Sequence, residues 1–255
     1  MATTSSKPKQ QPDLSIVVPA YREEKRIGAT LDELAEYIRT QAFLKPLVVE
    51  VIVVSADSPD KTHEIIRSKQ KLFKNFQFVT PGPKLGKGRD VRAGMLKARG
   101  KIVIYMDADL ATPLHHLEKF YDACKKGSDV VIGTRNLLKH HHSKFRTMIS
   151  NGGNLLFRVA GGVWVEDSQC GFKMFNEHAN KLCFSKMTIL LWGFDMEVLA
   201  IANANGLKIK SFRISDWKDM PDSTFTGNMV QNSLNSLKDL AHIVRNRLCG
   251  VYLEK

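Results

Sequence analysis

Two carboxylates one residue apart, Asp107 and Asp109, close the short run Lys101-Ile-Val-Ile-Tyr-Met106 and precede Leu-Ala-Thr-Pro113. Ile102 to Met106 is too short for a stable helix and rich in β-branched residues, so it reads as a buried strand of a parallel sheet. The acids then sit at the strand's carboxyl end, where open α/β sheets bind ligands. Hard oxygen donors at that place suit Mg²⁺ or Mn²⁺ carrying a diphosphate. One acid capping the next helix and the other lying in solvent would explain the same spacing, so the pair acquires meaning only from its surroundings. Thr112-Pro113 is expected to open that helix, since proline is tolerated in a first turn.

Those surroundings are cationic. Lys84, Lys87, Arg89, Arg92, Lys97, Arg99 and Lys101 crowd the stretch from Thr80 to Lys101 against a single acid, Asp90. Gly86-Lys87-Gly88 lies just before an expected helix start, where free backbone N–H groups and an ammonium can hold phosphate. It is not a P-loop, and a flexible basic loop is the competing reading; its place before the Asp-x-Asp strand favours the phosphate role. A second block, Arg135 to Arg158, contains no acid at all. Its run His140-His141-His142 reads as a solvated loop, because consecutive residues cannot all face one metal. Arg135 and Arg146 bracket a loop leaving the sheet's carboxyl edge, and arginine can grip phosphate oxygens in a bidentate manner.

The elements that must position these groups alternate strand and helix. Leu14 to Val18 is a strand with Pro19-Ala-Tyr-Arg-Glu23 as its exit loop, and Ile27, Leu31, Leu34, Ala35 and Ile38 form a helical stripe. A strand at Val48 to Val54, a helix at about Lys61 to Lys71, a strand at Phe76 to Val79 and a helix ending before Gly100 follow. Beyond the central strand come a helix containing Leu117, Phe120 and Tyr121 and a strand at Asp129 to Gly133. The right-handed crossover rule makes a mostly parallel, doubly wound α/β sheet flanked by helices the natural closure. Met1 to Asp13 is expected to be a disordered tail, and residues 14–255 a single domain. Asp195 reads as an N-cap for Met196 to Ala204. A last helix, Met229 to Arg247, carries Val230, Leu234, Leu237, Ala241, Val244 and Leu248 on one stripe, expected to dock on the domain itself.

Composition bounds the partners. The chain has 255 residues, 43% of them hydrophobic, with 38 Lys and Arg against 26 acids and a net charge of +12. That excess suits nucleic acid, an anionic membrane face or phosphorylated substrates. Nucleic-acid binding ranks far below the others, because the basic blocks carry only Phe145 and Phe157 as stacking groups. Cys124, Cys170, Cys183 and Cys249 lack zinc-site spacing and read as free thiols in a reducing compartment. Neither a signal peptide nor a membrane span is expected, so the protein should be soluble or peripheral.

Together Val-Val-Pro19-Ala20-Tyr21, Gly86-Lys87-Gly88, Arg92-Ala-Gly94, Asp107-Ala-Asp109-Leu-Ala-Thr-Pro113, Ile132-Gly-Thr-Arg-Asn136, Asp167-Ser-Gln-Cys-Gly-Phe-Lys173 and Trp192-Gly-Phe-Asp-Met-Glu197 form a specific pattern. From about Leu14 to Tyr252 the chain resembles the inverting family-2 glycosyltransferases of GT-A fold, in the branch of dolichyl-phosphate β-glucosyltransferases and polyprenyl-phosphate glycosyltransferases. By that resemblance Pro19, Ala20, Tyr21 and Glu23 line the nucleotide pocket, with Lys87 and Gly88 beside the donor phosphates. Asp107 serves the donor sugar and ribose, and Asp109 ligates the metal. Arg135 and Arg146 receive the acceptor phosphate, with Ser150 and Asn154 beside them, and Gln169 and Asp195 lie near the sugar.

The pattern departs from the family in one loop: Val54 is followed by Ser55-Ala56-Asp57 where acids that read the base are expected, so Asp57 would take over through a shifted loop. Ala111 stands where the mannosyl-transferring branch has a metal-holding glutamine, which favours the glucosyl branch. The long membrane anchors of many relatives are not expected at either end. The resemblance implies transfer of glucose from UDP-glucose to dolichyl phosphate at the cytosolic face of the endoplasmic reticulum membrane. The alternative is a related synthase using GDP-mannose or a bacterial-type polyprenyl phosphate. A phosphomonoester acceptor is largely ionised at neutral pH, so the expected chemistry needs dense cations and no general base.

Overall fold

The computed structural model describes residues 10–135, 158, 162–218 and 229–254, with the side chains of 229–234 left aside. Among the described residues seven strands form one sheet in the order β3-β2-β1-β4-β6-β5-β7. They are β1 (Leu14–Pro19), β2 (Val49–Val54), β3 (Phe76–Val79), β4 (Ile102–Met106), β5 (Val130–Arg135), β6 (Phe172–Asn176) and β7 (Ile209–Ile214). Every pairing is parallel except those of β6, which runs antiparallel between β4 and β5.

Alternation along the strands explains the layers, since successive side chains of a strand face opposite sides of the sheet. On β1 and β4, Val17, Val103 and Tyr105 enter one core, while Leu14, Ile16, Val18, Ile102, Ile104 and Met106 enter the other. Helices α1 (Ile27–Thr40), α2 (Thr62–Lys69) and α4 (His116–Lys125) cover the second face with Leu31, Leu34, Ile66, Leu117 and Phe120. Helix α3 (Lys87–Lys97) covers the first face with Val91 and Met95, beside α5 (Glu177–Lys186), α6 (Phe194–Ala204) and α7 (Met229–Leu248). Sheets buried on both faces have near-continuous apolar strands, and Ile-Val-Ile-Tyr-Met of β4 is one.

The structure revises several expectations. The tail prediction fails at its inner end: Pro12 is buried and its carbonyl accepts from Lys101 N at 3.0 Å, while Asp13 accepts from Val48 N at 3.0 Å and Lys101 Nζ at 2.9 Å. Residues 1–9 lie outside the described residues. Helix α4 opens at His116, because Pro113 to His115 form a turn in which His116 N donates to the Pro113 carbonyl. Strand β6 was not foreseen. It carries Lys173 as its second residue, a charge among apolar neighbours, yet that lysine is fully buried.

Helix α7 docks through Leu240 and Ile243, whereas Leu237 and Leu248 of the expected docking stripe are exposed. With Ala241 and Val244 they line an open apolar trough beside Arg245. Val230 and Leu234 are outside the described side chains. Among the described residues no helix is long and apolar enough to cross a membrane.

Candidate active site at the carboxyl end of the central strands

Asp107 leaves β4 with its N–H donating to the Gly171 carbonyl at 3.1 Å, just ahead of β6. Its carboxylate lies against the Gly171 backbone so closely that a Cβ at 171 would overlap it. Lys87 Nζ, from the first residue of α3, meets Asp107 Oδ1 at 2.6 Å. Burial disfavours this ammonium, but the charges of Asp107 and then Asp195 outweigh it and raise the Lys87 pKa. Lys87 also sits 5.3 Å from the centre of the Trp192 ring. The Asp-x-Asp strand and the glycine-flanked lysine thus form one unit.

The chain turns sharply after Asp109. Leu110 adopts a left-handed conformation with φ 51°, and Asp109 Oδ1 accepts from Ala111 N at 3.0 Å. Helix α1 is anchored to the same turn, the Thr30 hydroxyl donating to the Ala108 carbonyl. Ahead of that helix, Glu23 is held by Thr62, whose hydroxyl accepts from its N–H, and by Arg26 Nε at 2.6 Å from Oε2. Asp109 is half-buried, and its pKa is raised by that burial and by the neighbouring Asp107 carboxylate. The pKa of Glu23 is raised by burial, against the pull of Arg26 and with the charges of Asp109 and Asp107 adding to it. Burial and neighbouring negative charge thus make Asp109 and Glu23 costly to ionise, and carboxylate oxygens of this kind are the hard donors that suit a divalent cation.

The residues expected to line the nucleotide pocket stand at the ends of β1 and β2. Pro19 ends β1, and Ala20 N donates to the Val54 carbonyl at 2.8 Å. Tyr21 is half-buried, with Lys84 Nζ 4.4 Å from its ring centre. Ser55 and Ala56, which replace the expected acids, are buried in a bonded turn: Ala56 N donates to Asp90 Oδ2 at 3.3 Å, and His63 Nε2 lies 3.0 Å from Ser55 Oγ. Asp57 is exposed beside this turn, its N–H donating to the Gly82 carbonyl.

The phosphate reading of Gly86 to Gly88 needs correction. Gly88 N and Arg89 N are not free but donate to the Leu191 and Leu190 carbonyls at 3.2 and 3.1 Å. The glycines are required because the 189–191 segment runs directly over them: a Cβ on Gly88 would stand 2.8 Å from the Ile189 carbonyl oxygen. What remains for anion contact is the Lys87 ammonium. That strap is held from below by Glu197, a buried carboxylate that accepts from Thr188 N, Ile189 N and the Tyr252 hydroxyl at 2.8, 2.7 and 2.9 Å.

Arg135 ends β5 and is gripped by Asp167, with Nε 2.6 Å from Oδ2 and Nη2 3.0 Å from Oδ1. Burial would raise the Asp167 pKa, but the arginine fork outweighs it and the net shift is downward. Its partner's guanidinium lies 5.6 Å from the Trp217 ring centre, and Trp217 walls a narrow crevice shared with Asp107 and Thr112. Gln169 is exposed, its N–H donating to Asp167 Oδ1. Arg146, Ser150 and Asn154, with His140 to His142, lie outside the described residues.

Asp195 does not cap its helix. Gly193 occupies the cap position without a side-chain bond, and the Asp195 carboxylate is buried against the Tyr105 hydroxyl and the Lys173 ammonium. Lys173 Nζ also donates to the Cys170 carbonyl at 2.7 Å. Lys173 and Glu197 end two of the motifs quoted above, but their spacing gave no sign that both charges are fully buried. Sequence reasoning also missed His115, His116 and Asp216, whose ligand atoms all lie within 4.8 Å of one another and whose donors fit a divalent metal. A histidine pair and an aspartate about a hundred residues further on share no sequence spacing that could reveal them.

Comparison with known proteins accords with this geometry. The family model described as glycosyl transferase family 2 matches residues 15–181. A dolichyl-phosphate beta-glucosyltransferase of Trichomonas vaginalis is 34% identical over 217 residues, covering 82% of this chain and 67% of the relative. The Homo sapiens dolichyl-phosphate beta-glucosyltransferase is 31% identical over 256 residues, covering 94% and 77%. Among solved structures, mannosyl-3-phosphoglycerate synthase from Rubrobacter xylanophilus superposes with a TM-score of 0.65 at 16% identity, covering 96% of this chain and 77% of that one. Glucosyl-3-phosphoglycerate synthase from Mycobacterium tuberculosis, in complex with Mn²⁺, UDP and phosphoglyceric acid, gives 0.61 at 18%, covering 94% and 78%. These structural likenesses show the fold alone. The α/β sheet flanked by helices is that of the GT-A glycosyltransferases, and the chain belongs to glycosyl transferase family 2, related to the dolichyl-phosphate beta-glucosyltransferases.

Proposed function

We propose that the protein transfers glucose from UDP-glucose to dolichyl phosphate with inversion, giving the β-linked lipid. The reading is carried by one observation: Asp107 and Asp109 stand together at the carboxyl end of β4 with the Lys87 ammonium fixed on Asp107, in a chain whose relatives include dolichyl-phosphate beta-glucosyltransferases. Asp109, with Asp107 and Glu23 near it, would hold Mg²⁺ or Mn²⁺, and the ion would offset charge on the departing diphosphate.

This chain's own residues do the rest. Tyr21 and Asp57 flank the mouth where the base would rest, and Pro19 and Ala20 supply backbone beneath it. The Lys87 ammonium, kept charged by Asp107 and Asp195, adds positive potential where the leaving group develops charge. On the other flank Arg135 serves the acceptor phosphate through the edge that Asp167 leaves, with Arg146, Ser150 and Asn154 assigned to the same anion. An ionised phosphate oxygen attacks the anomeric carbon as the bond to UDP breaks, so no side chain has to remove a proton.

The lipid acceptor calls for contact with a membrane surface, at the cytosolic face of the endoplasmic reticulum in this reading. The trough of Leu237, Ala241, Val244 and Leu248 beside Arg245 supports such peripheral contact, with apolar groups entering the interface and basic ones facing anionic headgroups. Titration calorimetry with Mn²⁺ tests the donor half: UDP-glucose should bind more tightly than GDP-mannose, and Asp109→Ala should abolish the metal-dependent part. Tighter binding of GDP-mannose would contradict the assignment.

A further inference from the structure

Beside the acid pair the fold assembles a second, chemically different set of ligands. His115 closes the turn that leads into α4, His116 is the first residue of that helix, and Asp216 follows β7. His116 Nε2 lies 2.6 Å from Asp216 Oδ1 and His115 Nε2 lies 3.1 Å from Oδ2. Adjacent residues of a regular helix point about 100° apart, so two neighbouring imidazoles rarely serve one point. Here the turn ahead of α4 brings their ring centres to 4.2 Å and aims both Nε2 atoms at the same carboxylate. Among the described residues this is the group of three such side chains whose ligand atoms lie within 4.8 Å of one another, and Asp109 is not part of it. His116 is buried while His115 and Asp216 are exposed, so the group is anchored on one side and open to solvent on the other.

We propose that His115, His116 and Asp216 form a binding site for a divalent transition metal of the Zn²⁺ type, separate from the carboxylate site at Asp109. Two imidazoles with one carboxylate select borderline metals, whereas Mg²⁺ and Ca²⁺ prefer all-oxygen shells. Three protein ligands leave a position for water or a fourth group, as in open zinc sites. The ion would do more than decorate the surface. The segment that begins at Asp216 carries Trp217, which stands over Arg135 and walls the crevice at Asp107, and Lys218, whose N–H donates to the Ala111 carbonyl at 2.9 Å. Bridging Asp216 to the start of α4 therefore staples that wall to the turn following the acid pair. Nothing in this depends on the identity of the sugar donor.

The test is equilibrium binding of Zn²⁺ to the full chain, read by competition with a chromophoric chelator, alongside Co²⁺ titration followed by its visible ligand-field bands. The wild-type protein and Asp109→Ala should both bind Zn²⁺ and show the Co²⁺ bands of imidazole ligation. His115→Ala/His116→Ala should lose at least about tenfold in affinity and lose the bands. Because His116 is buried, Asp216→Asn serves as the second variant: it changes an exposed side chain, should fold normally by circular dichroism, and should show the same loss. Zn²⁺ should also raise the melting temperature of wild type and not of Asp216→Asn. Equal Zn²⁺ affinity in wild type and Asp216→Asn, loss of binding in Asp109→Ala, or displacement by Mg²⁺ at equal concentration would each overturn the proposal.

Discussion

Lys87 and Asp107 are joined at 2.6 Å across the sheet's carboxyl edge, so the residue that opens α3 fixes the first carboxylate of the Asp-x-Asp turn. The pair is largely shielded, with side-chain exposures of 20% and 32%. Lys87→Met should leave the fold intact but lower the transfer rate by roughly 100-fold, the scale for removing one preorganised charge from a developing anion. Steady-state kinetics check this. A rate within about twofold of wild type would reduce the pair to a structural contact.

Gly171 gives a sharper version of the same argument. Its backbone precedes β6, which is hydrogen-bonded on both sides, so a methyl group at 171 can be accommodated only by moving the Asp107 carboxylate. Gly171→Ala should therefore cost about 1–3 kcal/mol of stability, as overpacking does, while abolishing activity as fully as Asp107→Ala. Urea denaturation and a transfer assay on the same preparation separate the two effects.

Arg135 and Asp167 form the buried fork at the end of β5. Asp167→Ala leaves the guanidinium without its counter-charge and should cost about 3–5 kcal/mol. The pH dependence follows from the lowered Asp167 pKa: the pair's contribution is fully present above the ordinary carboxylate value of 3.8 and is lost as pH falls through the depressed one. Denaturation of wild type and Asp167→Asn should differ most near neutrality, and the difference should shrink in acid. A difference that grows in acid would contradict this sign.

Much of the scaffold was legible because its signals are local. The run Ile102 to Met106 announced itself by its length and β-branched composition, and the stripe Ile27, Leu31, Leu34 by its period; the first places Asp107 and Asp109 at a strand's carboxyl end, where the structure has them. What stayed hidden depends on groups far apart in the chain. Lys173 looks wrong for a core strand until Asp195 and Tyr105 supply its partners. The glycines at 86 and 88 suggested a phosphate cradle, but their role is set by carbonyls a hundred residues away. The grip of Asp167 on Arg135 was likewise hidden, because the two residues lie on different segments. The exposed edge of α7 escaped prediction for a related reason: a helical stripe says that one face is apolar, not which neighbour will cover it.

The central claim is tested most directly by incubating the purified chain with UDP-glucose, Mn²⁺ and dolichyl phosphate, with GDP-mannose and the Asp109→Ala variant as parallel arms, and identifying the lipid product and its anomeric configuration. The account predicts a β-linked glucosyl phospholipid from UDP-glucose, little product from GDP-mannose, and a loss of about 100-fold or more in the variant. Transfer from GDP-mannose in preference to UDP-glucose, or undiminished turnover by Asp109→Ala, would contradict it.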